Sequence, residues 1–240
     1  MTETVPNSSG NIDASSDTSS DERNNVIVDT GCANLSSVKF AIQRLGFSAT
    51  ITDDIELIKR ADKVIFPGVG SAKHAMANII DKGLVETLQN LTQPVLGFCL
   101  GMQLMAESST EGISSTEGAN DNVIECLGVI PTLVEPLDAK GNRLPHMGWN
   151  TLTNVANHPV LKGISVNDYF YFVHSFAAPI SEYTIASCEY GSEFSAVIAK
   201  DNFIGCQFHP ERSSALGSKI IKNFLELSTL ELSPKELTAS

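Results

Sequence analysis

The stretch PVLGFCLGMQ, residues 94–103, combines an almost wholly apolar run with two glycines that flank a cysteine. The apolar run predicts a buried strand over residues 94–98, and a helix is expected to follow. Glycines on both sides of Cys99 permit a tight strand-to-helix turn, which displays the central side chain at the edge of a sheet. A strand that is apolar on both faces is typical of a parallel sheet covered on two sides. The stretch therefore predicts an α/β fold with a nucleophile elbow at Cys99.

Strand and helix patterns alternate on both sides of this stretch. Before it, β-rich runs lie at residues 26–28, 47–51 and 64–66, and helical patterns lie at 34–45 and 72–90 with a break at Gly83. After it, short strands with turn signals are predicted at 128–134, 148–152, 169–176, 184–190, 196–200 and 203–207. A terminal helix over 214–227 closes the domain. The predicted fold is a mostly parallel central sheet flanked by helices, with an antiparallel extension.

The ends of the chain differ in composition from this core. Residues 1–24 are rich in Ser, Asn, Asp and Thr, which predicts a disordered tail. One globular domain is predicted over residues 25–232, followed by a flexible C-terminus at 233–240. Residues 108–122 are polar and contain Ser-Ser-Thr-Glu-Gly twice, which predicts a loop lengthened by a small duplication.

Composition excludes several classes of protein. The chain has 240 residues with 16 Lys+Arg against 28 Asp+Glu, and this acidic balance argues against a general nucleic-acid binder. No stretch approaches the ~20 apolar residues of a membrane span. Five cysteines without a C-x-x-C pair do not form a disulfide framework or a zinc ribbon. Because the N-terminus also lacks a secretory signal pattern, the cytoplasm is the predicted compartment.

Three residues have the chemistry of a nucleophilic triad. A thiol at Cys99 lies at a helix N-terminus, where backbone N–H groups favour the thiolate, and the N–H of Leu100 is free to bind an oxyanion. In the segment QFHPE, His209 and Glu211 are two residues apart and project the same way from an extended chain. A carboxylate that holds an imidazole facing a thiol is the arrangement of covalent catalysis. The alternative for Cys99 is a buried structural cysteine.

The segment PGVGS, residues 67–71, follows another predicted strand and has three readings. Its glycines could cradle a phosphate, although neither G-x-x-x-x-G-K-[ST] nor G-x-G-x-x-G is present. It could instead be a wall that supplies N–H donors beside the elbow, or a plain turn.

The motifs PGVG, GFCLGMQ and QFHPE resemble the three signatures of the class I (triad) glutamine amidotransferases. The stretches PHMGWN at 145–150, YFVHS at 171–175 and DTGCANL at 29–35 resemble one branch of that family, the glutaminase subunits of imidazole glycerol phosphate synthases. The resemblance covers residues 25–228 and implies a flavodoxin-like sheet. It also implies that glutamine is hydrolysed to glutamate and ammonia, for the synthesis of imidazole glycerol phosphate and AICAR in histidine biosynthesis.

The resemblance implies a role for each matching residue of the triad. Cys99 is the nucleophile, His209 its general base and acid, and Glu211 the residue that orients His209. Val69 N–H joins Leu100 N–H in the oxyanion hole, after a possible flip of the peptide that precedes Val69.

The resemblance also implies which residues bind glutamine. The side chains of Gln103 and Glu111 are the candidates, with Glu117 as the rival to Glu111 because of the duplicated segment. Main-chain atoms of Gly68, Val69, Ser175 and Phe176 complete the pocket. His146 and His174 are expected to shape the backbone near this pocket, and no metal or cofactor is expected.

The implied partner is a cyclase subunit of (β/α)8 barrel form, in a heterodimer that conducts ammonia through the barrel. The candidates for the docking face are Asn34, Trp149, Asn150, Tyr171 and Arg212. Three alternatives stay open: a glutaminase of another pathway, a free-standing Cys-His hydrolase, and a binding module with an inert thiol.

Overall fold

The computed structural model describes residues 24–31, 34–112 and 123–228. The strands within these ranges are β1 Asn25–Val28, β2 Thr50–Thr52, β3 Lys63–Gly68, β4 Val95–Cys99, β5 Ala106–Ser109, β6 Ile124–Glu125, β7 Ile130–Pro136, β8 His146–Val155, β9 Tyr169–His174, β10 Phe176–Ala177, β11 Thr184–Tyr190, β12 Ser192–Lys200 and β13 Phe203–Cys206. The helices are α1 Leu35–Arg44, α2 Ile55–Lys59, α3 Ala72–Asp81, α4 Val85–Gln89, α5 Leu100–Gln103 and α6 Ser214–Glu226. Short 3₁₀ turns lie at Pro159–Leu161 and Pro210–Arg212.

Nine strands form the central sheet in the order β2-β1-β3-β4-β13-β12-β11-β8-β9. The first five pair in parallel, and the remaining strands pair antiparallel. The predicted parallel sheet with an antiparallel extension is therefore confirmed. Strand β13 comes last in sequence and lies directly beside β4, with Cys206 in register with Phe98.

Two helical layers cover the parallel strands because alternate residues of each strand point to opposite faces. Ile27, Ile65, Leu96 and Ile204 pack with helices α1 and α6 in one cluster of buried side chains. Their neighbours along the same strands, among them Val64 and Phe66, pack with helix α3 in the other. Fully buried β1, β3, β4 and β13 explain why these segments are apolar at nearly every position.

One part of the predicted extension is wrong. The strand predicted at 128–134 is β7, which belongs to a second sheet of order β10-β7-β5-β6. It pairs in parallel with β5 and antiparallel with β10. Strand β5 also includes Ser108 and Ser109, which were predicted to begin a loop. An alternating pattern indicates a strand but not its partner, so the sequence could not assign β7 to this smaller sheet.

The predicted helix break at Gly83 is confirmed. Helix α3 ends at Asp81 and helix α4 begins at Val85, and Gly83 between them has a left-handed φ of +66°. The glycine provides this conformation at low steric cost, so helix α3 ends here and helix α4 starts as a separate element.

The predicted tail and C-terminus lie outside the described residues, apart from Asn24. That residue belongs to the fold, because its N–H donates to Asp62 Oδ2 at 2.7 Å and its carbonyl accepts from Asp62 N–H at 2.9 Å. The second copy of the duplicated segment also lies outside the described residues. In the ranges that are described, none of the helices has the length and apolarity needed to cross a membrane.

A prediction concerns Gly101, where helix α5 meets strand β3. A Cβ atom at this position would lie 1.7 Å from the carbonyl oxygen of Phe66, so Gly101→Ala forces two backbone segments apart. We expect the free energy of unfolding in urea to fall by ~3 kcal/mol or more. Gly83→Ala is the matched control, since its Cβ would meet nothing within 4 Å and only the left-handed φ is strained. Equal losses of about 1 kcal/mol in both variants would contradict the close approach.

Candidate active site

The turn at the end of strand β4 holds Cys99 in an unusual backbone conformation. Its φ of 51° and ψ of −110° are strained for a residue with a side chain, and helix α5 begins at the next residue, Leu100. Gly101 packs so closely on the end of β3 that only a hydrogen fits there. The sharp turn predicted from the glycine spacing is therefore present, and it places the thiol above the carboxyl edge of the parallel strands.

His209 and Glu211 lie next to each other in the turn that follows strand β13. His209 Nδ1 is 3.0 Å from Glu211 Oε1, and the two side chains are only 8% and 2% exposed. Because β13 is the neighbour of β4, this pair lies close enough to Cys99 for the thiol to influence the pKa of His209. The structure thus brings the three predicted triad residues together.

The triad is electrostatically coupled. Burial alone would lower the pKa of His209, but hydrogen bonds with Cys99 and Glu211 and their charges outweigh it and raise the pKa to about 10. The second carboxylate oxygen of Glu211, Oε2, is buried and has no hydrogen-bond partner among the described residues. The arrangement therefore favours a protonated, charged imidazole at His209 beside the side chains of Cys99 and Glu211.

The sequence reasoning missed Gln207. Its Nε2 donates to Cys99 Sγ at 3.8 Å, while its Oε1 accepts from Gln103 Nε2 at 2.9 Å. Both amides are buried. The period-two argument that paired His209 with Glu211 extends to Gln207, two residues earlier, and would have found it.

Gln103, a predicted glutamine-binding residue, lies one helical turn beyond the nucleophile. Its amide protons are donated to Gln207 Oε1 and to the carbonyl oxygen of Phe176, the latter at 2.8 Å. Its Oε1 is the atom left to meet a ligand. The carbonyl of Ser175, a predicted pocket atom, accepts from Leu137 N–H at 2.8 Å.

The wall formed by the segment 67–71 lies beside the triad. Gly68 ends strand β3, in register with Cys99. Together with Asn34 and Val69 it lines a small cavity that also touches His209 and Glu211. Leu100 is the first residue of helix α5, so its N–H has no acceptor within the helix. The predicted roles of Val69 N–H and Leu100 N–H in an oxyanion hole agree with these positions and stay predictions.

Glu111, the other predicted substrate-binding side chain, lies at the start of helix α3. Its Oε2 accepts from the N–H of Ala72 at 3.0 Å. Burial raises the pKa of this carboxyl, although the hydrogen bond from Ala72 lowers it. The rival candidate, Glu117, lies outside the described residues.

The docking candidates lie on strands β8 and β9, in the turn that carries Glu211 and at the start of helix α1. Trp149 and Tyr171 face each other across strands β8 and β9, with ring centroids 6.0 Å apart, and Trp149 is 53% exposed. Arg212 is exposed in the turn that carries Glu211, and Asn34 Nδ2 is 3.5 Å from Glu211 Oε1. Trp149 is therefore a surface side chain and not a core aromatic.

Comparison with known proteins identifies the class of this fold and site. The sequence model for glutamine amidotransferase class-I matches residues 26–227. A solved structure of a glutamine amidotransferase superposes with a TM-score of 0.61 at 18% identity, and covers 84% of this chain and 97% of that one. The chain belongs to the class I glutamine amidotransferase family, as the motifs predicted.

The most similar relatives come from one branch of that family. The imidazole glycerol phosphate synthase subunit HisH of Colwellia psychrerythraea is 78% identical over 213 residues, which are 87% of this chain and 95% of the relative. HisH of Shewanella sediminis is 54% identical, over 88% of this chain and 94% of the relative. The predicted resemblance to these glutaminase subunits is confirmed.

The coupling within the triad leads to a prediction for Glu211→Gln. Loss of the carboxylate charge lowers the pKa of His209 from about 10 toward its ordinary 6.5, which an NMR titration of the imidazole measures directly. Because the folded-state pKa lies above the unfolded value, the stability contributed by protonation is complete below pH 6.5 and is lost as the pH rises toward about 10.

The unfolding free energy of the wild type therefore decreases more across this pH range than that of Glu211→Gln. Glu135→Gln, at an exposed position on strand β7, makes the same chemical change away from the triad. We expect it to leave the pKa of His209 and the pH dependence of the unfolding free energy unaltered. A His209 pKa that stays the same in Glu211→Gln contradicts the coupling.

Proposed function

We propose that this chain is the glutaminase subunit of an imidazole glycerol phosphate synthase, which hydrolyses glutamine and delivers ammonia to a cyclase subunit. The observation that carries the proposal is the buried Cys99–His209–Glu211 triad at a strand-to-helix elbow. Its chemistry suits a carboxamide, because a thiolate needs an adjacent acid to expel an amine. The high identity to HisH subunits supports glutamine as the amide and histidine biosynthesis as the pathway.

The proposed reaction proceeds through a thioester. Cys99 Sγ attacks the carboxamide carbon of glutamine, and the N–H groups of Leu100 and Val69 stabilise the oxyanion that forms. His209 gives its proton to the leaving nitrogen, which departs as ammonia when the C–N bond breaks. His209 then takes a proton from water, whose oxygen attacks the thioester carbon. Glutamate leaves and the Cys99 thiolate is restored beside the imidazolium.

The surface near the triad supports a docked cyclase. Strands β8 and β9 are neighbours, and their exposed apolar side chains include Met147, Trp149 and Tyr169. Such a patch is typical of a protein–protein contact. We propose that a cyclase subunit of (β/α)8 barrel form binds here, and that Asn34, Asn150, Tyr171 and Arg212 border the contact. A cyclase subunit bound over the site would keep the released ammonia from bulk water.

The described cysteines other than the nucleophile also bear on the compartment. Cys126, Cys188 and Cys206 are buried free thiols. Burial raises the pKa of Cys126 and of Cys188 to about 12, so neither is a second nucleophile. Free thiols are usual in a reducing compartment, and we propose the cytoplasm.

The first test is the release of glutamate from glutamine by the isolated chain and by its complex with the cyclase subunit and the cyclase's nucleotide ligand. We expect strong release only in the complex, because one misplaced oxyanion donor costs ~3 kcal/mol of barrier, and no release from Cys99→Ala in any condition. Vigorous release by the isolated chain would indicate a free-standing hydrolase. No release by a folded wild type in either condition would indicate a binding module with an inert thiol.

The second test concerns Trp149, which is the largest exposed side chain on the proposed contact. We expect Trp149→Ala to weaken cyclase binding about 30-fold or more, as truncation of a central aromatic in an interface typically does, and calorimetry measures this change. Ile80→Ala, which removes another exposed apolar side chain on helix α3, is the control and leaves the affinity unchanged. Equal affinities for the wild type and Trp149→Ala would place the interface elsewhere.

A further inference from the structure

Two buried histidines link the surface of strand β8 to the glutamine site. His146 and His174 are opposite each other in the β8–β9 ladder, and His146 Nδ1 is 3.0 Å from His174 Nε2. His146 Nε2 is 3.2 Å from Asn150 Nδ2, and His174 Nδ1 is 2.9 Å from the carbonyl oxygen of Phe176. The result is a continuous chain of three hydrogen bonds, through side chains that are almost fully buried at the two histidines.

The groups at the two ends of this hydrogen-bond chain allow the hydrogen bonds to be donated in one direction only. The Phe176 carbonyl can only accept, so His174 Nδ1 carries a proton and, in the neutral ring, His174 Nε2 accepts. His146 Nδ1 must then donate, and His146 Nε2 must accept from the amide of Asn150. That amide is fixed in orientation, because Asn150 Nδ2 also donates to the carbonyl of Glu189 at 2.9 Å and Oδ1 accepts from Thr151 N–H at 2.8 Å.

Both rings are neutral at physiological pH. Burial lowers the pKa of His146 to about 4. For His174, burial together with the nearby His146 and His209 outweighs the hydrogen bond to Phe176 and lowers the pKa to about 3. Tyr190 stacks on His146 with ring centroids 4.1 Å apart. With neutral rings, each histidine has one donor and one acceptor, so every step in the chain is satisfied.

The inner end of the chain reaches the nucleophile. The Phe176 carbonyl that accepts from His174 also accepts from Gln103 Nε2, at 2.8 Å. Gln103 in turn donates to Gln207, which donates to Cys99 Sγ. Displacement of this carbonyl would therefore move both amides beside the thiol.

The outer end of the chain, Asn150, lines a groove of about 420 Å³ beside strand β8. The groove is lined by Asn150, His146 and Tyr190, and by the exposed side chains of Met147 and Trp149. The hydrogen-bond chain thus begins on the surface that we assign to cyclase docking.

We propose that Asn150, His146 and His174 are positioning residues, which form a hydrogen-bond relay of fixed direction from the docking surface to the Phe176 carbonyl and so hold Gln103 and Gln207 beside Cys99. The inference rests on the proposed glutaminase function only for its kinetic consequence. The direction of the relay is a property of the protein without substrate or partner.

The direct test is the protonation of the two rings in the wild-type chain, read from ¹⁵N NMR shifts of labelled histidine at pH 7. We expect protonated Nδ1 and bare Nε2 in both His146 and His174. An Nε2–H tautomer in either ring overturns the relay. This readout needs no activity, so it separates failure of the relay from failure of the glutaminase proposal.

The variant that tests the relay is Asn150→Asp, since a carboxylate accepts but cannot donate to His146 Nε2. We expect Nε2 of His146 to become protonated, and the kcat/KM for glutamine in the cyclase complex to fall at least 10-fold. Asn154→Asp makes the same change at an exposed position of strand β8 and leaves both readouts at their wild-type values. Protonation at Nε2 in Asn150→Asp with kinetics equal to those of Asn154→Asp would show that the relay positions nothing.

Discussion

The close approach of the turn at residues 99–101 to the end of strand β3 is the constraint on which the site depends. Gly101 meets the Phe66 carbonyl with no room for a methyl group, so two backbones are in direct contact. This contact holds Cys99 in its strained conformation, at a cost of ~1–3 kcal/mol that the surrounding core must offset. It also fixes Gly68 next to the nucleophile, because the two residues pair across β3 and β4.

The protein interior contains one charged and one neutral imidazole, and the partners of each ring determine its protonation state. His209 has a carboxylate on one side and a thiol on the other, so its charge is stabilised despite burial. His174 has only a carbonyl oxygen and a second imidazole, so burial dominates and the ring stays neutral. One residue type therefore occurs in this protein both as a charged imidazolium and as a neutral ring within a chain of hydrogen bonds.

Local sequence was sufficient for features that depend on neighbours along the chain. The elbow at Cys99, the pairing of His209 with Glu211 and the helix break at Gly83 follow from spacings of a few residues. Features that depend on strand register could not be predicted from local sequence. The membership of β7 in the second sheet, the link between Gln103 and Gln207, and the meeting of His146 with His174 all require knowledge of which strands pair and at which residue. Periodicity indicates which face of a strand is buried, but it does not identify the strand with which that strand pairs.

The position of strand β13 has a consequence for the order in which the molecule forms. Among the described residues this strand is the last in sequence, and it fills the middle of the sheet, between β4 and β12. Until the ribosome has released it, β4 lacks a neighbour on one side and the nucleophile lacks its histidine. A nascent chain therefore lacks His209 and Glu211 for most of its synthesis, and the predicted triad and the continuous sheet are completed by the same late event. The predicted triad can therefore assemble only after the last of the described strands has been made and has taken its place in the sheet.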